Sequence, residues 1–203
     1  MNLPNKLTVS RLILTAFFLV ALLWEFLEHS HEGTHWNFTV ALFFFVAASL
    51  TDIFDGIIAR RRNLITDFGK LMDPLADKVL ICSAFIAFIE LGWMPAWMVI
   101  LVVARELAIT GLRLLAASKN LVLAAERQGK NKTISQITAI IALLITHSYD
   151  DWGIVGQLFA FEIAGQTWAW WVAEASKWVA VALTALSGFL YLWKNRDVYL
   201  NDF

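Results

Sequence analysis

Six long apolar stretches constrain the fold of this sequence more than any other feature. They cover residues 11–27, 38–59, 71–91, 94–115, 134–146 and 171–193. A helix needs about 20 apolar residues to cross a bilayer, and these runs lack the alternation typical of membrane barrel strands. Because a backbone in hydrocarbon must satisfy its own hydrogen bonds, we expect helices. The sequence therefore predicts an all-α polytopic integral membrane protein with six transmembrane helices, preceded by a short interfacial helix within residues 2–10.

The composition agrees with this class and excludes others. Of 203 residues, 59% are hydrophobic and 16% are charged, whereas soluble domains average about 25% charged residues. A net charge of −1 argues against a nucleic-acid partner. The single cysteine, Cys82, excludes an intrachain disulfide and multi-cysteine metal sites. Six spans leave no length for a separate soluble domain, so residues 1–203 are predicted to form one membrane domain.

Lysine and arginine residues are sorted between the two sides of the predicted bundle. Basic residues occupy both termini and alternate connections, while the other connections are acidic or neutral and contain tryptophans. The basic residues of the first set are Lys6, Arg11, Arg60, Arg61, Arg62, Lys70, Lys119, Arg127, Lys130, Lys132, Lys194 and Arg196. By the positive-inside rule, both termini are predicted to be cytoplasmic.

Four aspartates lie inside these apolar runs. Asp52 and Asp55 occur in the second run, and Asp73 and Asp77 occur in the third. Spacings of three and four residues place each pair on one helix face. Both pairs lie at a similar depth, about 10 to 12 Å from the basic residues between the runs by helical rise. Because a charge near mid-membrane costs roughly 2.5 to 3.5 kcal/mol, four such charges indicate a functional site.

Divalent cations are the natural compensation for four neighbouring carboxylates. Oxygen ligands favour Mg²⁺ or Mn²⁺ over zinc, and two such ions can clamp the oxygens of a reacting phosphate. One alternative is that the aspartates only pair with basic residues at the membrane edge, namely Arg60, Arg61, Lys70 and Lys78. Another is a divalent-cation or proton-coupled transporter, whose ion pathway also contains buried acids.

Eight positions in this region resemble the signature of the CDP-alcohol phosphotransferase family: Asp52, Asp55, Gly56, Ala59, Arg60, Gly69, Asp73 and Asp77. The resemblance implies a homodimeric membrane enzyme that displaces CMP from a CDP-linked donor with an acceptor hydroxyl, using two Mg²⁺ or Mn²⁺ ions. It implies that the four aspartates hold metal and that Asp77 is also the catalytic base. It further implies that the CDP moiety contacts Gly56, Ala59, Arg60 and Gly69, although helix packing alone could also explain the small residues.

A second basic cluster bears on the acceptor. Arg105 and Arg113 lie eight residues apart in the fourth run, and Lys130 and Lys132 precede the fifth. Eight helical residues separate two side chains by about 80°, so the arginines can share a pocket facing the aspartates. Several converging cations suit an acceptor that carries phosphate. The alternative is that Glu106 simply neutralises Arg105.

Segments 4–11, 105–113 and 129–133 resemble one branch of the family, the phosphatidylglycerophosphate synthases. This resemblance implies transfer of a phosphatidyl group from CDP-diacylglycerol to glycerol 3-phosphate, with release of CMP. The expected location is an inner (cytoplasmic) membrane of the bacterial type, with the active site facing the cytoplasm. A cardiolipin or inositol-phosphate type of transferase remains the alternative within the family.

Overall fold

Six α-helices form the part of the chain that the computed structural model describes, which comprises residues 3–24, 36–62, 67–118, 121, 127–196 and 198. Over 3–7, 52–62, 67–75, 77, 118 and 127–130 only the backbone is described. The helices are α1 (Leu3–Leu22), α2 (Trp36–Arg62), α3 (Asp67–Glu90), α4 (Ala96–Ser118), α5 (Arg127–Ser148) and α6 (Trp168–Lys194). Each helix overlaps one of the six predicted apolar runs.

The amino terminus differs from the prediction of a separate short helix. Residues from Leu3 to Leu22 form one continuous helix. Pro4 falls in the first turn, where a missing backbone N–H breaks no helical hydrogen bond. Thr8 and Arg11 are buried, so this segment packs within the bundle as an extension of the first helix.

The helices form a closed ring. Helix α1 packs against α2 and α3, α2 packs against α5, α5 against α6, α6 against α4, and α4 against α3. Aromatic and aliphatic side chains such as Phe18, Phe45, Phe85 and Leu144 are fully buried at its centre. The outer surface is also apolar, with exposed side chains that include Phe17, Phe43, Ile86, Ile100, Leu107 and Phe189. A surface of this kind is consistent with a helical membrane protein.

One helix in the described ranges, α6, is long and apolar enough to cross a membrane by length and composition. Two shorter apolar helical segments are Thr8–Leu22 and Trp36–Thr51. Helix α4 does not meet this criterion of length and composition, although most of its sequence is apolar. It carries three charged residues, Arg105, Glu106 and Arg113. The other five predicted spans and the side on which the termini lie stay predictions.

A compact connection between α5 and α6 was not predicted. It contains two 3₁₀ turns, Tyr149–Trp152 and Gly156–Leu158, and a hairpin of strands β1 (Glu162–Ile163) and β2 (Gln166–Thr167). The strands are antiparallel, and their two-residue loop has positive φ at both Ala164 and Gly165, as a tight hairpin turn requires. The Thr167 side chain then accepts a hydrogen bond from the Trp170 backbone and caps α6.

The bundle has two chemically different halves. The first, here called the aromatic half, contains Phe38, Trp93, His147, Trp152 and Trp168. The Trp93 ring stacks on His147 at 3.7 Å between centroids, and Trp152 Nε1 donates to Thr39 Oγ1 at 2.9 Å. The opposite part, here called the charged half, contains Arg105, Glu106, Arg113 and Lys132.

Helix directions place the signature segments relative to these halves. Helix α2 begins at Trp36 and α3 ends at Glu90, and Phe38 and Phe88 both contact the Trp93 ring of the aromatic half. The two helices therefore run in opposite directions. Their other ends, which carry residues 52–60 and 69–77, lie toward the charged half.

Candidate active site

The carboxylate of Glu106 joins two cations that come from different helices. Arg105 Nη1 donates to Glu106 Oε1 at 3.3 Å, and Lys132 Nζ forms an ion pair with the same oxygen. Glu106 and Lys132 are each 5% exposed. Buried charges are tolerated when they are paired and hydrogen-bonded. The structure thus brings together two predicted acceptor residues that are 27 positions apart in the sequence.

Helix α6 holds the outer part of Arg105. Arg105 Nη2 donates to Ser187 Oγ at 3.2 Å. The stem of the same side chain crosses Gly188, where a β-carbon would lie 2.6 Å from Arg105 Cγ. Helices α4 and α6 can approach this closely because residue 188 has no side chain.

Arg113 contacts the same helix one turn further on. Its Nε donates to the Tyr191 hydroxyl at 3.3 Å, and its guanidinium carbon lies 5.5 Å from the Tyr191 ring centroid. Tyr191 is only 4% exposed, and a cation over a desolvated ring is stabilised by the ring quadrupole. The two arginines therefore approach one face of α6.

Among the side chains that the structure describes here, which do not include the four signature aspartates, the cations outnumber the acids. Arg105, Arg113 and Lys132 contribute three positive charges, and Glu106 contributes one negative charge. The alternative in which Glu106 simply neutralises Arg105 is incomplete, because the same carboxylate also pairs with Lys132. Among the described residues, Arg105 Nε is buried without a hydrogen-bond partner. Arg105 and Lys132 meet at this buried carboxylate, and the exposed Arg113 lies one turn further along α6, so these described cations suit an anionic ligand.

The remaining predicted site residues lie where only the backbone is described. Residues 52, 55, 56, 59 and 60 belong to α2, residues 69, 73 and 77 belong to α3, and Lys130 belongs to α5. The side chains of Asp52, Asp55, Ala59, Arg60, Asp73, Asp77 and Lys130 fall outside the described part of the chain, and nothing is described around Gly56 and Gly69 beyond their backbone. The part that is described holds no group of three or more His, Cys, Asp or Glu side chains that could bind a metal ion.

Sequence reasoning missed the contribution of α6 to this site. Run 171–193 was treated only as an apolar span. A signal was present, because four small or polar residues recur there at helical spacing on one face: Thr184, Ser187, Gly188 and Tyr191. Besides the contacts to the arginines, Thr184 Oγ1 accepts a hydrogen bond from Gln136 Nε2 at 3.0 Å.

Comparison with known proteins identifies the family. A model of the CDP-alcohol phosphatidyltransferase family matches residues 1–186. The chain is 40% identical over 200 residues to the CDP-diacylglycerol--glycerol-3-phosphate 3-phosphatidyltransferase of Bacillus subtilis, covering 97% of this chain and 96% of the relative. A protein of the same name from Rickettsia felis is 32% identical over 94% of this chain and 93% of its own length. The chain belongs to the CDP-alcohol phosphatidyltransferase family.

A third relative, the probable phosphatidylglycerophosphate synthase of Mycobacterium tuberculosis, is 42% identical over 139 residues, which is 68% of this chain and 64% of the relative. Family membership confirms the resemblance found in the sequence. It makes the chain a phosphatidyltransferase enzyme and leaves the transporter alternative without support.

Proposed function

We propose that the chain transfers the phosphatidyl group of CDP-diacylglycerol to the primary hydroxyl of glycerol 3-phosphate, producing phosphatidylglycerophosphate and CMP. The relatives that carry this activity in their names match the chain over nearly its whole length. The structural observation that supports the acceptor assignment is the buried Glu106 carboxylate that Arg105 and Lys132 share, with the exposed Arg113 held by Tyr191 one turn further along α6. A group of three cations in this region suits a phosphate monoester, which carries about −1.5 to −2 at neutral pH. The names of these relatives do not favour the alternative of a cardiolipin or inositol-phosphate type of transferase.

In this proposal Arg105, Arg113, Lys130 and Lys132 bind the phosphate of the acceptor. Arginine suits this role because its terminal nitrogens can pair with two phosphate oxygens at once. Glu106 keeps Arg105 and Lys132 together before the acceptor arrives, since two cations at this separation would otherwise repel each other. The cluster is therefore preorganised for an anion.

The four signature aspartates would hold the divalent cations that the family generally uses. The donor set fits, because Asp52, Asp55, Asp73 and Asp77 supply only oxygen ligands and belong to two consecutive helices that run in opposite directions. We assign two ions, Mg²⁺ or Mn²⁺, to this set. When bound, they would neutralise charge on the donor pyrophosphate and on the departing CMP.

The protein side chains then perform the proton transfer and the positioning. Asp77 accepts the proton of the acceptor hydroxyl as its oxygen attacks the phosphorus next to the diacylglycerol. The bond from this phosphorus to the CMP oxygen breaks, and CMP leaves. Gly56, Ala59 and Gly69 admit the CDP moiety close to the backbone, and Arg60 contacts its charge.

The same proposal includes a membrane orientation. Six helices with exposed apolar side chains would span an inner (cytoplasmic) membrane of the bacterial type, with both termini in the cytoplasm. The charged half would then face the cytoplasm, from which a soluble phosphorylated acceptor arrives, while the lipid donor enters from the membrane. The family resemblance also leads us to propose a homodimer.

An acceptor panel tests the proposed function. Purified protein receives CDP-diacylglycerol and Mg²⁺ or Mn²⁺, together with glycerol 3-phosphate, serine, inositol phosphate or phosphatidylglycerol, and CMP release is measured. We expect turnover with glycerol 3-phosphate and its loss when a chelator removes the metal. Equal rates with serine or inositol phosphate, or no turnover with glycerol 3-phosphate, would overturn the acceptor assignment. Ion flux in vesicles without lipid turnover would instead support a transporter.

A further inference from the structure

We propose that Ser187, Gly188 and Tyr191 form a seat on α6 that positions Arg105 and Arg113 for the phosphate of the acceptor. This inference rests on the proposed function and adds residues to it. All three residues lie beyond the segment that the family model matches, which ends at residue 186. We call them the arginine seat, and we regard them as positioning residues that act through the two arginines.

Gly188 determines where the Arg105 side chain can run. A β-carbon at this position would lie 2.6 Å from Arg105 Cγ and 3.7 Å from Arg105 Cβ. These atoms belong to the part of the side chain nearest its own backbone, so a rotation at the tip cannot relieve the overlap. Any side chain at residue 188 must either separate α4 from α6 or move Arg105 into another rotamer. Both changes displace the guanidinium group.

Ser187 fixes the orientation of that guanidinium group. Its hydroxyl donates to the Thr184 carbonyl oxygen at 3.1 Å, so it turns a lone pair toward Arg105 Nη2 at 3.2 Å. Nη1 of the same group is held at Glu106 on α4. Two terminal nitrogens bound to partners on different helices define the plane of the guanidinium.

Tyr191 fixes Arg113 in a different way. Its hydroxyl accepts from Nε, and the guanidinium carbon lies over its ring at 5.5 Å from the ring centroid. These contacts engage the Nε side of Arg113, whose side chain is exposed. In the proposal the two terminal nitrogens of Arg113 pair with phosphate oxygens.

A role in helix packing alone makes a different kinetic prediction. If Gly188 served only to let two helices approach, its replacement would lower stability or kcat for every substrate alike. A positioning role raises the KM for glycerol 3-phosphate and leaves the KM for CDP-diacylglycerol unchanged, because the lipid donor does not depend on the two arginines. The ratio of the two KM values therefore separates the two roles.

The main experiment compares Gly188→Ala with Gly111→Ala in the full-length enzyme. Both positions are helical glycines, but a β-carbon at Gly111 meets no atom within 4 Å. Both changes raise helix propensity equally, so the pair isolates the overlap with Arg105. For Gly188→Ala we expect the KM for glycerol 3-phosphate to rise about tenfold, because the displaced Arg105 guanidinium loses a charged hydrogen bond to the acceptor phosphate. The KM for CDP-diacylglycerol should stay within about twofold of the wild-type value. Gly111→Ala should leave both values within about twofold of the wild type.

Two further variants remove atoms and cannot create an overlap. Ser187→Ala and Tyr191→Phe each delete a hydroxyl that contacts an arginine, and each should raise the KM for glycerol 3-phosphate about three- to tenfold. They keep the inference testable if Gly188→Ala fails to fold. In variants that fold, an unchanged KM for glycerol 3-phosphate, or an equal rise in both KM values, would overturn the positioning role of the arginine seat. The proposed function would still stand in that case, provided that the wild-type enzyme turns over glycerol 3-phosphate. Wild-type enzyme with no turnover on glycerol 3-phosphate would overturn both.

Discussion

Each half of the bundle buries a lysine, and the two lysines differ in how their charge is balanced. In the aromatic half, Lys177 is 7% exposed and pairs with Glu174 at 2.6 Å, one cation for one acid. This pair borders a cavity of about 260 Å³ together with Trp93 and His147. In the charged half, Lys132 shares the single carboxylate of Glu106 with Arg105. Lys177 thus has a one-to-one partner in Glu174, whereas among the described side chains Glu106 serves two cations, which is the arrangement that our proposal assigns to an anionic acceptor.

The largest expected effect comes from the catalytic aspartate proposed near the charged half. Asp77→Asn should lower kcat by about 10³-fold, because the amide cannot accept the hydroxyl proton. Helicity measured by circular dichroism should stay unchanged. The matched carboxylate in the aromatic half, Glu174→Gln, should keep kcat within about twofold. Near-normal turnover in Asp77→Asn would remove this residue as the base.

The next effect is on stability and concerns the shared carboxylate. Glu106→Gln leaves Arg105 and Lys132 buried without their common counter-charge, which should cost about 3 kcal/mol. Thermal unfolding in detergent measures the loss as a lower Tm. Saturating glycerol 3-phosphate should restore part of it, because the ligand replaces the missing negative charge. An unchanged Tm would show that Glu106 does not hold the cluster together.

A smaller effect is expected on acceptor binding. Arg113→Ala removes one cation of the cluster and should raise the KM for glycerol 3-phosphate about tenfold, in keeping with the loss of a charged hydrogen bond. The KM for CDP-diacylglycerol should change less than twofold. Lys177→Met combined with Glu174→Gln provides the control, since it removes a cation from the aromatic half. If the donor KM rises more than the acceptor KM in Arg113→Ala, the acceptor pocket lies elsewhere.

The smallest effect belongs to the balanced pair. Glu174 is about one-third exposed, so water screens its interaction with Lys177, and Glu174→Gln should cost less than about 1 kcal/mol. Comparing the Tm of Glu174→Gln with that of Glu106→Gln shows how much more stability the charged half loses than the aromatic half when its carboxylate is neutralised. Equal losses in the two variants would mean that charge balance does not distinguish them.

The sequence predicts the helices well because a long run of apolar residues is a local property. Each of the six apolar runs overlaps a helix, and the eight-position signature leads to the family that the comparisons confirm. The contacts of Lys132 with Glu106 and of Arg105 with Ser187 could not be derived in this way. They join residues 26 and 82 positions apart, and such pairs depend on which helices become neighbours in the ring.

Two local features were missed for different physical reasons. The continuous helix Leu3–Leu22 was divided because polar residues before Arg11 resembled an interfacial segment, although Thr8 and Arg11 are buried. The role of Ser187, Gly188 and Tyr191 does not follow from the apolar character of run 171–193, which predicts only a membrane span. Their spacing on one helix face is visible in the sequence, but the two arginines that they contact lie on another helix, α4.

The central claim is that the charged half recognises a phosphate on the acceptor. The most direct measurement compares kcat/KM of the purified wild-type enzyme for glycerol 3-phosphate and for glycerol, at a fixed saturating concentration of CDP-diacylglycerol. Both acceptors offer the same primary hydroxyl and differ only in the phosphate. A preference of about 100-fold or more for glycerol 3-phosphate is predicted, since two charge-assisted contacts of about 1.5 kcal/mol each would be lost with glycerol. Equal efficiency with the two acceptors would contradict the account.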